Sequence, residues 1–406
     1  MNANLRDLVL GPTVRNPNAD PFFSAYGLGR NPFPPNRTIL PEVLYNQQHA
    51  IDRVAEAFRG VLSEAPQRRA MAVLAGTGGG KTHFLRHCRW MLESALKETP
   101  HRLVFVDFQA GSGKLQDLAR EIVSAGDAFC RESGEEDFVT GLITRLRSSS
   151  DNSQLQQVHQ DELRSALTRL LEASEVGFRP KDKAGQYDFG LLREVCRRWL
   201  VGATLSQTER RYLGVISRIN TASMAVRVLT EAFRLARSLG LFHGVVLCLD
   251  EIETLFLGSQ RAAQYQAFLQ DLRFLYDEAE KSGSGYSLFL LSASTPYGAR
   301  LLQQVNYPIF QRLGFDAAQR VQLLPISGVE DAKSFASTYV EFERTRFLRG
   351  QQDSQTIPEL LDRAEIEEAY QAARGAADSA KGDVTVNQAP LLDALHKKAE
   401  EKHSRA

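Results

Sequence analysis

The run Ala70-Met71-Ala72-Val73-Leu74-Ala75-Gly76-Thr77-Gly78-Gly79-Gly80-Lys81-Thr82 constrains this chain more than any other stretch. Its first six residues are small or apolar, too few for a helix and stopped by glycine, so they read as a buried strand. The glycines let the backbone turn its N–H groups inward, and His83 to Trp90 continue as a helix. Inward amides and a helix N-terminus make a cradle for phosphate, a lysine reaches the terminal phosphates, and a hydroxyl binds Mg2+. Against the template G-x-x-x-x-G-K-[ST], Gly80, Lys81 and Thr82 match, and Ala75 stands where the first glycine belongs. Gly76, Thr77, Gly78, Gly79, Gly80, Lys81, Thr82 and His83 are therefore expected to surround the phosphates. A glycine-rich turn with a coincidental lysine is the competing reading, and the flanking strand and helix count against it.

Such a loop needs a carboxylate partner. His243-Gly244 leads into Val245-Val246-Leu247-Cys248-Leu249, which ends in Asp250-Glu251. A wholly apolar strand ending in two acids suits a buried parallel strand that delivers charge at its carboxyl end. Asp250 would join Thr82 in holding Mg2+, through water, and Glu251 would polarise the attacking water. An ordinary strand followed by a helix with an acidic first turn is the bland alternative.

At 406 residues, with 43% apolar and 24% charged residues, the chain has room for two or three domains with a large core. Formal net charge is zero, which removes a generally basic nucleic-acid surface from consideration while leaving local patches open. Cys88, Cys130, Cys196 and Cys248 lack zinc spacing and read as reduced thiols of a cytoplasmic protein. No signal-peptide pattern or membrane-length apolar run occurs.

Residues 1–40 read as an extended arm rich in Asn, Pro and Gly, neither helical nor a central strand, pinned by Phe22, Phe23 and Phe33. A helix is expected over Pro41–Leu62, and a second strand over Arg102–Phe108. Gly111-Ser112-Gly113-Lys114 imitates a phosphate loop but reads as a plain strand-to-helix turn, since Leu115 stands where a hydroxyl should. Residues 129–240 read as a helical insertion, with helices at Phe138–Arg147, Gln160–Ala173, Phe189–Val201 and Met224–Leu239. Ser206-Gln207-Thr208-Glu209 has capping-box character, and Phe178–Gly185 reads as a linker. A long helix over Arg261–Glu280, a fourth strand over Tyr286–Ala293, one helix running to Arg312 and a fifth strand over Arg320–Leu324 follow. The remainder is helical, ending in a solvated mixed-charge helix. His83 and His87 share a helix face, but no zinc set surrounds them.

This order resembles the AAA+ superfamily of ATPases, on Gly80-Lys81-Thr82, Asp250-Glu251, Ser294-Thr295-Pro296 and Phe310-Gln311-Arg312. The resemblance implies an α/β fold with a five-stranded parallel sheet, the phosphate-loop and acidic strands as neighbours, a long helical insertion and a C-terminal helical lid. The implied domains are the arm, an ATPase domain over 41–325 and a lid over 326–406. Thr295 would occupy the position that senses the terminal phosphate, and Arg312 would reach into a neighbouring subunit's site. The family's lid arginine after Gly-Asp has no counterpart in Gly382-Asp383-Val384-Thr385, which implies slow or partner-dependent turnover. Over Phe189–Phe256, with Trp199-Leu200 and Leu213-Gly214-Val215, the chain is also similar to ATPase components of BREX phage-defence systems. Asn31-Pro32-Phe33 adds a likeness to origin-recognition, transposition-targeting and ExeA-like ATPases. The implied function is an Mg-ATP-hydrolysing switch or motor, a homo-oligomer with protein partners in a larger assembly directed to DNA, although no DNA-binding motif stands behind that last step. A nucleotide-gated scaffold with little hydrolysis and a DNA-binding loader are the alternatives.

Overall fold

Four parallel strands, β1 (Arg68–Leu74), β2 (Leu103–Gln109), β3 (Gly244–Asp250) and β4 (Ser287–Ser294), and the short β5 (Arg320–Gln322) form one sheet in the order β2-β3-β4-β1-β5. They are seen in a computed structural model that describes residues 20–35, 38–63, 65–149, 153–173, 188–217, 219, 221–256, 262–279, 285–348, 357–378 and 386–406. β3 and β4 are buried along their whole lengths, as strands of a parallel sheet covered on both faces must be, which explains their unbroken apolar runs. The expected α/β class and five-stranded sheet are present. The expected strand adjacency is not: β4 lies between β1 and β3, pairing Leu74 with Ser294 on one side and Leu249 with Ser292 on the other. Apolar strands that are interchangeable in sequence carry no signal for which neighbours which.

The chain divides into two compact units, one of residues 1–48, 75–91 and 322–406, the other of residues 49–74 and 92–321. The larger unit holds β1 to β4 and the insertion helices Phe138–Ser148, Ser153–Gln156, Asp161–Glu172, Phe189–Leu200, Gln207–Leu213 and Ala222–Ser238. Their apolar faces join the sheet in one core that includes Phe138, Trp199, Phe233 and Phe242. Ser206 and Glu209 form the expected capping box. A buried Asp127 ties the insertion down, accepting from Phe138 N at 3.0 Å and from Arg197 Nε at 2.6 Å. The expected linker at 178–185 lies outside the described residues, as does Gly382–Thr385.

In the smaller unit, Phe23, Leu28, Phe33 and Val43 pack with Phe335, Tyr339, Leu391 and Leu395 from the helices Val329–Phe347 and Gln388–Arg405. Asn31 Oδ1 accepts from Phe33 N at 3.1 Å, while its Nδ2 donates to Glu400 at 2.7 Å. The Asn-Pro-Phe run is thus a turn that inserts a phenylalanine, and the terminal helix is its seat rather than a merely solvated tail.

Several elements differ from their sequence expectations. Pro21–Ser24 is a short helix, because Asp20 caps it and proline fits its first position. The helix expected over Pro41–Leu62 is confined to Gln48–Arg59 plus a 3-10 turn at Gly60–Leu62. The helix expected to reach Arg312 unbroken divides into Pro296–Val305 and Tyr307–Arg312, where Asn306 and Pro308 start a new cap. The fifth strand stops at Gln322, because Leu324 exchanges both backbone hydrogen bonds with the Gln47 side chain, at 3.0 and 2.9 Å.

Candidate functional site

The phosphate loop lies in the smaller unit. Gly78 and Gly80 have φ of +74° and +82°, left-handed values that a side chain would resist, and these two residues turn the chain from strand to helix. The helix Lys81–Leu96 starts at the motif lysine, so its first-turn N–H groups and positive end face the loop. Lys81 is 9% exposed, and its Nζ lies 3.3 Å from the carbonyls of both Ala75 and Gly76. An ammonium folded back on loop carbonyls is poised to exchange them for phosphate oxygens.

His83 points elsewhere. Its Nε2 lies 2.9 Å from the Leu40 carbonyl and must carry the proton there, and His87 Nδ1 donates likewise to Pro41 at 2.6 Å. Burial holds both imidazoles below their ordinary pKa, so they act as neutral donors that fix the chain before Gln47 to the helix face. The shared face read from sequence is real and serves packing; among the described residues no group of three or more His, Cys, Asp or Glu could hold a metal.

The acidic motif lies in the larger unit. Asp250 ends β3 and is 6% exposed, with Oδ1 accepting from Glu251 N at 2.9 Å. Glu251 is exposed and has φ of +55°, a conformation that non-glycine residues adopt at a cost. Thr254 secures it, donating to the Glu251 carbonyl from both N and Oγ1 at 3.0 and 2.7 Å. The 3-10 turn Ile252–Phe256 then presents Glu253, whose Oε2 accepts from Thr295 N at 3.3 Å. Gly298 makes this approach possible, since a Cβ there would stand 2.5 Å from Glu253 Cβ and 2.6 Å from Ser294 Oγ.

Thr295 Oγ1 accepts from Gly298 N at 3.0 Å and caps the helix Pro296–Val305. Beside it, Ser294 is fully buried and its hydroxyl has no hydrogen-bond partner among the described residues. Thr-Pro is itself a cap-and-first-turn signature, so the engagement of Thr295 was legible in the sequence; the orphaned Ser294 hydroxyl was not. Arg312 Nε lies 2.8 and 3.1 Å from the two oxygens of Asp277, and its Nη1 donates to Pro308 at 3.0 Å.

The oxygen donors that Asp250 and Thr82 each carry, a carboxylate and a hydroxyl, are of the type that Mg2+ prefers.

Comparison with known proteins gives a match over part of the chain. Residues 127–321 match the family model described as BREX system ATP-binding protein BrxC/D. The matched segment carries Asp250, Glu251, Thr295 and Arg312, and begins after the phosphate loop. The chain is also similar to the Aeropyrum pernix ORC1 protein solved in complex with DNA, at 14% identity and a TM-score of 0.44, over 90% of this chain and 62% of that one. The match thus spans less than two thirds of that protein. The Aeropyrum pernix ORC2 protein, solved as ADPNP-ADP complexes, aligns at 13% identity and a TM-score of 0.43, over 92% of this chain and 72% of that one. No curated protein matches. Among the described residues no helix is long and apolar enough to cross a membrane.

Proposed function

We propose that this chain binds Mg-ATP and hydrolyses it as the nucleotide-driven component of a multi-protein BREX-type phage-defence assembly. The observation that carries the reading is the loop of Gly76–Thr82, with its left-handed glycines and its lysine folded onto loop carbonyls, in a chain whose residues 127–321 match ATP-binding BREX proteins. Lys81 would neutralise phosphate charge and Glu251 would orient the attacking water; Thr82 and Asp250 are the residues that would hold Mg2+, which would supply charge stabilisation for phosphoryl transfer. Self-association, and action on DNA, belong to the same proposal.

The test is equilibrium binding of a fluorescent ATP analogue and phosphate release by the purified chain. Lys81→Ala should lose binding, and Glu251→Gln should bind normally while turnover falls by about two orders of magnitude or more. Equal ATP affinity in wild type and Lys81→Ala would remove the site assignment.

A second reading, a nucleotide-gated switch with little turnover, is favoured by two contacts: Thr295 is committed to a helix cap and Arg312 to Asp277. A wild type that binds ATP tightly, yet turns it over no faster than Glu251→Gln, would select it.

A further inference from the structure

The acidic turn after β3 is tied to the helix that follows β4 by a cap divided between two segments. Thr295 stands at the cap position of the helix Pro296–Val305, and its Oγ1 accepts from Gly298 N at 3.0 Å. In the reciprocal form of such a cap, a Glu or Gln at the third helical position returns a bond to the cap residue's own N–H, for which the helix has no acceptor. The third position here is Gly298, which has no side chain to return. Glu253 supplies the missing half from another segment, its Oε2 accepting from Thr295 N at 3.3 Å. A Cβ on Gly298 would stand 2.5 Å from Glu253 Cβ and 3.1 Å from Glu253 Cα. The glycine that cannot complete the cap is therefore also what admits the residue that does.

Ser206 and Glu209 show the single-segment version in the same chain. Glu209 N donates to Ser206 Oγ at 3.1 Å, and Ser206 N to Glu209 Oε2 at 2.7 Å. Both partners belong to one helix there, so the box holds nothing outside it. Dividing the box gives it a second consequence. The 3-10 turn Ile252–Phe256 is fixed to the Glu251 carbonyl through Thr254, and to the end of β4 through Glu253. Glu251 is exposed and has positive φ, a conformation that persists only where its surroundings enforce it.

We propose that Glu253 is a positioning residue for Glu251: by accepting from Thr295 N it fixes the turn from which the Glu251 carboxylate meets the attacking water. The inference rests on the reading of Glu251 as the water-orienting group, and gives a second carboxylate of Asp250-Glu251-Ile252-Glu253 a different task. Glu251 needs its charge, because it polarises water. Glu253 needs only an acceptor atom at the right reach, because it holds an amide. A glutamine oxygen serves that purpose, whereas the carboxylate of aspartate, one methylene shorter, falls short of Thr295. Two glutamates two residues apart should thus answer in opposite ways to the same replacement by glutamine.

The experiment measures phosphate release, binding of a fluorescent ATP analogue with Mg2+, and amide hydrogen exchange over residues 251–256. It uses the full chain as wild type, Glu253→Ala, Glu253→Asp, Glu253→Gln and Glu251→Gln. Glu253→Ala and Glu253→Asp should lower kcat about tenfold or more, with ATP affinity unchanged and exchange over 251–256 quickened. Glu253→Gln should restore slow exchange and bring kcat to within about threefold of wild type, since a neutral acceptor bonds somewhat less strongly than a charged one. Glu253→Asp turning over faster than Glu253→Gln would show charge rather than reach at work and overturn the positioning role. Glu253→Ala with a lowered melting temperature but wild-type kcat would overturn it too, leaving Glu253 as a helix cap and nothing more. If Glu253→Ala does not fold, the order of the aspartate and glutamine variants decides alone. Failure of the underlying reading has its own signature: Glu251→Gln turns over as fast as wild type, and the proposal falls with its premise.

Discussion

Arg312 and Asp277 form a two-point ion pair, Nε lying 2.8 Å from Oδ1 and 3.1 Å from Oδ2. Asp277 is shared, since Arg68 also approaches it at 3.1 Å and Arg273 at 3.5 Å, leaving an excess of positive charge around one carboxylate. With the two side chains 26% and 34% exposed, water screens the pair, and a double-mutant cycle on Arg312→Ala and Asp277→Ala should give a coupling of about 1 kcal/mol or less. The pair also sets a condition on any role in a neighbouring subunit, because the guanidinium must first leave Asp277. Mixing Arg312→Ala with Lys81→Ala tests that role. Recovered turnover in the mixture is the expected outcome for a shared site, and normal turnover by Arg312→Ala alone would confine the arginine to this ion pair.

Thr295 and Ser294 should respond in opposite ways to loss of their hydroxyls. Thr295→Ala removes a helix cap and should cost about 1 kcal/mol in urea unfolding. Ser294→Ala removes a buried hydroxyl that bonds to nothing described, so stability should stay level or rise slightly. If Ser294 carries the phosphate-sensing role, its alanine variant should slow ATP turnover several-fold at unchanged stability. Unchanged turnover in that variant returns the role to Thr295.

Glu251 is held with positive φ, which its neighbours enforce through Thr254. Glycine adopts that conformation without the steric cost, so Glu251→Gly should stabilise the fold by up to about 1 kcal/mol while removing the carboxylate proposed to orient water. A higher melting temperature joined to lost turnover is the expected signature. A melting temperature lowered by more than a degree or two would mean that the loop does not hold Glu251 under backbone strain.

The His243 imidazole should make stability fall on mild acidification. Its Nδ1 accepts from Arg102 N at 2.9 Å, so the folded state requires that nitrogen unprotonated. Burial, with repulsion from His101 and Arg237, holds its pKa below the ordinary 6.5. The unfolded chain therefore takes up the proton first. The stabilisation is whole above pH 6.5, declines as pH drops below 6.5, and levels off below the folded-state pKa. His243→Asn, which keeps an acceptor near the same place, should flatten the urea midpoint between pH 7 and 5.5. A wild-type midpoint independent of pH over that range would refute the assignment.

The sequence by itself determined the elements whose physics is local. Leu247-Cys248-Leu249-Asp250 had to be a buried strand with charge at its end, and Ser206 with Glu209 had to cap a helix, because three or four adjacent residues decide such features. Gly78-Gly79-Gly80-Lys81 likewise fixes a left-handed turn that leads into the helix starting at Lys81. Tertiary structure decided everything that depends on which interchangeable partner is chosen. Apolar strands pair with one another equally well on composition, so the place of β4 between β1 and β3 became visible only in the sheet. A histidine four residues from another, with no zinc set around it, could pack or lie solvated, and the carbonyls of Leu40 and Pro41 decided for packing. Arg312 could reach into a neighbouring subunit or make an internal salt bridge on sequence grounds, and only the fold brings Asp277 to it from another helix.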